Sequence, residues 1–253
     1  MSNFSLQVNQ PPIYSKLNEK DSNSLNSNWQ KLFNQMTNLQ NVTEGYGNPS
    51  VALNSDFYWN TGVVSPITSD GLISEEWGIY SNAGASGTYT ITKESVPAND
   101  LDQTGSLYYL RVQIHTYTGA GDGADFYIYQ RQTGNQFLRR YQNRNLSLST
   151  RILNNLTDGF KVQLQYVPNY DPSTETLSAN VISVDQTTGF YSTTVTTPSL
   201  SGKSVGAGAS ADFRLAIFGV GDVNLYYIKA EMCDKPTDLY IDHALEKTRI
   251  ANS

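Results

Sequence analysis

A chain of 253 residues with one cysteine, a net charge of −6 and a pI near 4.9 has no means for a disulfide framework or thiolate metal cluster. Its acidity also opposes an electrostatic grip on nucleic acid, and the small run Arg139, Arg140 and Arg144 reads as a solvated edge. Hydrophobic residues are 38 % and charged residues 16 %, both low; Ser, Thr, Asn, Gln and Gly fill the gap, which with 17 Tyr and 9 Phe suits strands and turns.

Residues 1–21 are polar around Pro11-Pro12, which disfavours helix and leaves an extended arm. Phe4, Leu6 and Val8 alternate. That is the pattern of a short strand added to a neighbour's sheet edge, although a flexible terminus fits these residues equally well. The arm has neither the basic start nor the apolar run of a secretory signal, and no stretch of the chain approaches the roughly 18 apolar residues of a membrane span. Neither ordinary secretion nor membrane insertion is expected.

Residues 22–45 carry the one clear helical pattern. Leu25, Trp29, Leu32, Met36 and Leu39 are spaced four, three, four and three apart, a heptad seam among Ser, Asn, Gln and Lys. Asp21, Ser22 or Ser24 caps its start, and Gly45 follows its end. So short and polar a helix is marginal alone, so it needs a partner. The strict 3.5-residue period predicts self-association, and the bulk of Trp29 and Met36 favours three strands over two. Docking on the chain's own sandwich is the alternative, since Phe33 widens the stripe.

Residues 46–233 carry β signals. Leu110, Val112 and Ile114 share one face of a strand, as do Phe126 and Ile128 opposite Tyr127 and Tyr129, and Val162, Leu164 and Tyr166 opposite Gln163 and Gln165. Val181, Ile182 and Val184 form a more continuous apolar run, expected of a strand covered on both faces. Phe213, Leu215 and Ile217 make another face, and Tyr226, Ile228, Ala230 and Met232 a last one. Turn clusters at Gly119–Gly123, Asn169–Pro172 and Gly202–Ser210 separate them. Eight or more short strands with no intervening helical pattern predict a mainly β protein, a jelly-roll β-sandwich. Residues 234–253, with Leu239, Ile241, Leu245 and Ile250 among charges, read as a tail, clasp or short helix.

The residues offer little catalytic machinery. The two histidines are His115, whose parity puts it on a solvent face, and His243. No Gly-x-Ser-x-Gly elbow, His-x-x-x-His pair or phosphate loop occurs. Glu75 and Glu76 face opposite ways if extended, and Asp122 and Asp125 lie in a Gly-rich stretch where side-chain-stabilised turns are common. No enzyme activity and no cofactor are expected. Binding is better provided for: sugar rings stack on aromatic faces while amides, carboxylates and guanidiniums take the hydroxyls. Tyr117, Tyr127, Tyr129 and Arg131 are the candidate glycan contacts, because Tyr127, Tyr129 and Arg131 share one strand face. Packing of that face on the second sheet or on a neighbouring copy is an equal alternative. Tyr108 and Tyr141 are weaker candidates.

Two stretches carry a resemblance. Residues 53–62, LNSDFYWNTG, followed by ISEEW at 73–77, resemble the opening of carbohydrate-binding-module-like jelly rolls, which phage tail and fibre proteins also carry. GDVNLYYIKAE at 221–231 resembles the closing strand of the same domains, with Lys229 where the family often has Asp. In many such modules that region helps hold a structural calcium, and Lys229 departs from the pattern. An N-terminal arm with a heptad helix is similar to the attachment end of phage fibres. The resemblance implies a virion protein: a homotrimeric tail or head fibre anchored to other virion proteins through its N-terminal arm, displaying β-sandwiches for host-surface glycan attachment. A carbohydrate-binding module without a virion role is the alternative, and a polysaccharide-degrading enzyme a more distant one.

Overall fold

Alternating apolar residues become strands wherever one face has a second sheet to cover it. The computed structural model describes residues 50–236, except 54, 58–64, 75, 83–85, 98–99, 101–103, 105, 119–123 and 157–158. The heptad seam (Leu25, Trp29, Leu32, Met36, Leu39), the arm and nearly all of 234–253 therefore lie outside the described residues.

Twelve strands and one short helix follow in order among the described residues: β1 (Gly71–Ser74), β2 (Trp77–Ser81), β3 (Thr88–Ser95), β4 (Tyr108–Thr116), β5 (Phe126–Thr133), α1 (Asn135–Tyr141), β6 (Asn145–Asn154), β7 (Lys161–Asn169), β8 (Leu177–Ser178), β9 (Ile182–Ser183), β10 (Gly189–Thr196), β11 (Ser210–Phe218) and β12 (Gly221–Glu231). They form a seven-stranded sheet in the order β1-β2-β5-β11-β7-β8, with β9 also on β7, and a five-stranded sheet in the order β10-β6-β12-β4-β3. Every pairing is antiparallel. The two sheets bury one apolar layer between them, the mainly β sandwich consistent with a jelly roll.

Phe126, Ile128, Val162, Leu164, Tyr166, Phe213, Leu215 and Ile217 enter that layer from the larger sheet. Ile91, Leu110, Val112, Ile114, Leu146, Leu148, Ile152, Val223 and Leu225 enter from the smaller one. Each large apolar side chain so buried contributes about 1.5–3 kcal/mol. Among the described residues of the opening motif, Leu53, Phe57 and Trp77 have structural roles. Phe57 and Trp77 are fully buried and meet edge to face at 5.7 Å. Trp77 Nε1 donates to the Leu53 carbonyl at 2.9 Å, while Gln130, also buried, accepts from Leu53 N–H at 2.8 Å and donates to its carbonyl at 2.7 Å.

Two expectations are corrected. Val181–Val184 is no strand covered on both faces: only Ile182–Ser183 pairs, at the margin of the larger sheet, and Val181 is exposed. An apolar run records β propensity without distinguishing a centre from an edge. Tyr226 does not share the face of Ile228, Ala230 and Met232, because a bulge between Leu225 and Tyr227 resets the parity of β12. Ile228 and Ala230 join Val223 and Leu225 in the core, with Met232 just past the strand packed against it, whereas Tyr226 packs with Val96 and Tyr227 in a separate cluster. Arg139, Arg140 and Arg144 are exposed, as the solvated-edge reading expects; the first two lie on α1, which buries Leu138 and sets Phe137 against Phe213 at 5.6 Å.

Candidate functional site

Strand parity decides what the larger sheet shows on its outer side. Since Phe126, Ile128 and Gln130 point inward on β5, Tyr127, Tyr129 and Arg131 point outward together. Register brings their neighbours. Tyr80 on β2 pairs with Tyr127, and Gly78 with Tyr129. On β11, Asp212 lies opposite Arg131, Arg214 opposite Tyr129, and Ala216 opposite Tyr127. Beyond them on β7, Gln165 pairs with Arg214 and Gln163 with Ala216. Across four strands the face thus runs from an aromatic wall, over a guanidinium–carboxylate floor, to an amide wall. Ala216, fully buried, lies in register between Tyr127 and Gln163.

The aromatic wall is ordered by its own contacts. Tyr80 and Tyr127 stack at 4.9 Å and 17°, and Tyr129 meets Tyr80 edge-on at 5.2 Å. Gly78 makes room for this: a Cβ there would stand 2.9 Å from Tyr129 Cε1. The Arg214 guanidinium lies 5.5 Å from the Tyr80 ring and 5.8 Å from that of Tyr127, and Arg131 lies 5.7 Å from Tyr129. Burial raises the phenol pKa of Tyr80 and of Tyr127 against the opposing pull of Arg214. Both are therefore uncharged hydroxyl donors at neutral pH.

Asp212 is the hub. Only 2 % exposed, it accepts from Arg131 Nε at 2.8 Å and Nη2 at 2.9 Å, and from Arg214 Nη2 at 2.6 Å and Nε at 3.2 Å. The hydrogen bond to Asp212 raises the pKa of Arg131 above its already high value. A guanidinium has five N–H donors, and Asp212 takes two from each. The remainder are fixed in direction and available to ligand oxygens, with the Arg131 side chain 51 % exposed. Gln165 Nε2 donates to Gln163 Oε1 at 2.8 Å and Gln163 Nε2 to the Ala179 carbonyl at 2.7 Å, which holds both amides in place.

Of the four predicted contacts, the structure brings Tyr127, Tyr129 and Arg131 together and rejects their packing on the second sheet. Tyr117 does not share the row: it follows β4, half-buried against the core, its phenol raised by burial and by nearby Asp125 and Tyr127. Tyr108 lies on the smaller sheet under Lys93 at 4.2 Å, and Tyr141 is on α1 against Phe137. Sequence reasoning missed Tyr80, Asp212, Arg214 and the glutamine pair as partners. Gln163 and Gln165 were marked by parity, but only the pairing of β11 between β5 and β7 joins these residues.

The other chemistry resolves structurally. Asp125 is buried and accepts from Thr118 N–H at 2.8 Å, the turn-stabilising role expected of it. His115 is on the solvent face, bonded to Thr90 Oγ1 at 2.8 Å. Where the family resemblance implies calcium, Lys229 Nζ stands 3.1 Å from Glu231 Oε1, both side chains fully buried. An ammonium fixed beside the carboxylate supplies the positive charge, and these residues do not fit a divalent cation. Among the described residues no cluster of three or more His, Cys, Asp or Glu side chains is arranged for a metal.

No protein-family model matches the chain, and no curated protein matches it. Solved structures similar to it include a family 4 carbohydrate-binding module (14 % identity, 71 % of this chain and 98 % of that one, TM-score 0.44). The CBM22-1 xylan-binding domain of Paenibacillus barcinonensis Xyn10C is another (9 %, 76 % and 99 %, 0.41). A third is the enzymatically active domain of bacteriophage CBA120 tailspike protein 4 (15 %, 62 % and 19 %, 0.40). Likenesses this distant carry no argument about ligand or role, and the site stands on its own geometry.

Proposed function

We propose that this protein is a non-catalytic carbohydrate-binding β-sandwich whose ligand lies along the outer face of the seven-stranded sheet. The observation that carries the reading is the convergence on one face of Tyr80, Tyr127 and Tyr129 with two arginines locked by a buried aspartate. Aromatic planes take the apolar faces of pyranose rings, and oriented N–H donors and amides take hydroxyls. Asp212 has both oxygens engaged by guanidiniums, which makes it a clamp rather than a nucleophile. A neutral glycan suits the face, whose recognition comes from stacking and directed donors. The test is a glycan array followed by calorimetry on the best hits. Binding that disappears in Arg131→Ala while the fold persists supports the site; hits unaffected by Arg131→Ala and Tyr127→Ala overturn it.

The wider role proposed is that of a phage virion protein, a homotrimeric tail or head fibre anchored to other virion proteins through its N-terminal region and presenting the sandwich to the host surface. It is supported by the heptad from Leu25 to Leu39, by the proline-containing arm, and by the family resemblance of residues 53–77 and 221–231. Mass in solution and a particle image test it. A monomer with intact helix overturns the trimer, and absence from purified particles overturns the virion role.

A further inference from the structure

Charge is sorted along this chain. Residues 126–157 contain five arginines and no acidic residue, in a protein whose net charge is −6. On the sheets Arg111 pairs with Asp222, and Arg131 and Arg214 share Asp212. Arg139, Arg140 and Arg144 are not matched in this way. All three are exposed, and among the described residues no carboxylate forms an ion pair with any of them. Arg139 and Arg140 suit the last turn of α1, where a cation offsets the partial negative charge of the helix end. Arg144 lies past the helix and beyond that field.

The backbone that presents them is held firmly. α1 leaves β5 of the larger sheet and leads into β6 of the smaller one, so it crosses one end of the sandwich. Leu138 is buried there, and Phe137 packs on Phe213 at 5.6 Å and on Tyr141 at 4.7 Å. The Arg140 guanidinium stands 5.3 Å from the Tyr141 ring. Asn143, in the left-handed conformation at φ 54°, turns the chain toward Arg144. Buried Thr197 pins that turn from the other side. Its hydroxyl donates to the Tyr141 carbonyl and accepts from Arg144 N–H at 3.0 Å. Its own N–H donates to the Arg144 carbonyl at 2.8 Å, and its carbonyl accepts from Asn143 N–H at 3.1 Å. Three guanidiniums, a half-buried tyrosine and the exposed Asn143 therefore stand on an ordered turn, which lowers the cost of fixing them around a ligand.

We propose that this turn binds the acid groups, carboxylate or phosphate, of an anionic polysaccharide. Guanidiniums meet such oxyanions through two parallel N–H donors. The tyrosine ring and the Asn143 amide suit the sugar carbons and hydroxyls between the acid groups. Duplex DNA fits less well, since it carries one charge per ~1.7 Å of axis, and three cations on an acidic protein do not match that density. A polysaccharide spaces its acid groups a sugar unit or more apart. The assignment uses no residue of the tyrosine face, so either site can fail without the other.

Polarisation of fluorescein-labelled oligosaccharides mixed with the full chain tests it, with alginate supplying carboxylates and phosphomannan supplying phosphates. The expected result is binding of at least one of them that weakens roughly tenfold between about 50 and about 200 mM salt. The triple variant Arg139→Gln, Arg140→Gln, Arg144→Gln should lose at least roughly tenfold in affinity at the lower salt. Its substitutions are all exposed, and its urea midpoint and any neutral-glycan binding should match those of the wild type. The corresponding triple lysine variant, which keeps the charge but not the planar fork, should fall between the two. Absence of binding by both polymers overturns the proposal, as does wild-type affinity in the glutamine variant. Equal affinity for duplex DNA overturns the polysaccharide assignment, and wild-type affinity in the lysine variant overturns recognition by guanidinium.

Discussion

The two sheets turn similar residues into opposite kinds of outer surface. On the smaller sheet Asp222 gathers Arg111 Nε at 3.0 Å and Nη2 at 2.7 Å, Gln113 Nε2 at 3.1 Å and Asn155 Nδ2 at 3.2 Å, while Asn155 also donates to Asn224 Oδ1 at 2.9 Å. Tyr109 nearby is tied to Glu94 through its hydroxyl, and further along β12 the Lys229–Glu231 pair is fully buried. There each of these carboxylates is engaged by neighbouring donors. On the larger sheet one aspartate serves two arginines, and the donors left over share the face with three tyrosines. An arginine–aspartate pair by itself thus says nothing about ligands; what distinguishes a binding face is unspent hydrogen-bonding capacity beside aromatic planes.

The contrast breaks most readily at the aspartates. Asp212→Ala leaves two guanidiniums facing each other without their carboxylate. With half-exposed Arg131 discounted for solvent screening, the expected loss is about 2 kcal/mol in urea denaturation, together with loss of glycan binding. Asp222→Ala, whose partner Arg111 is 40 % exposed, is expected to cost about 1 kcal/mol or less and leave binding intact. Equal effects on binding would erase the distinction between the faces.

Next in size, Tyr127→Ala is expected to weaken sugar affinity by about tenfold, or about 1.4 kcal/mol, in calorimetry, while Tyr109→Ala leaves it unchanged. Gly78→Ala sharpens the point: its Cβ displaces the Tyr129 ring without removing any contact group, and affinity should fall by roughly threefold. Unaltered affinity in Gly78→Ala would place Tyr129 outside the ligand's reach.

The smallest effects are in pH dependence. Burial and the Glu94 hydrogen bond push the Tyr109 phenol up to about 12. A raised phenol favours the neutral form in the fold, so its stabilisation is complete below the unfolded value near ~10 and is lost as pH rises toward the folded value. Tyr109→Phe should flatten the alkaline limb of stability and remove one late phenol from the ultraviolet titration. Asp222 is depressed, chiefly by the Arg111 hydrogen bond. Its stabilisation is present above the unfolded carboxylate value near ~4 and disappears as pH falls through the folded one. Asp222→Asn should therefore make urea midpoints less sensitive to acid below that range; an unchanged acid slope would show that the Arg111 pair is spent on geometry alone.

Much of the sandwich was legible because burial on one side imposes period two on the sequence. β4, β5, β7 and β11 follow from Leu110-Val112-Ile114, Phe126-Ile128, Val162-Leu164 and Phe213-Leu215-Ile217. β10 was not legible, since an edge strand with a half-covered inner face shows no sharp alternation. The bulge in β12 was hidden for a related reason: one inserted residue shifts parity without changing composition. Of the site, the sequence exposed one strand's share, Tyr127, Tyr129 and Arg131, because parity within a strand is local.

By itself, then, the sequence determined a mainly β chain, its principal inward-facing rows and one outward row rich in tyrosine. Pairing order was decided only in the tertiary structure, where residues up to 134 positions apart, Tyr80 and Arg214, meet over one face. That order depends on which sheet each strand joins and in what register, and these are set by long-range complementarity of the whole core. The same step turned Asp212 and Arg214 from scattered charges into a clamp beneath an aromatic wall.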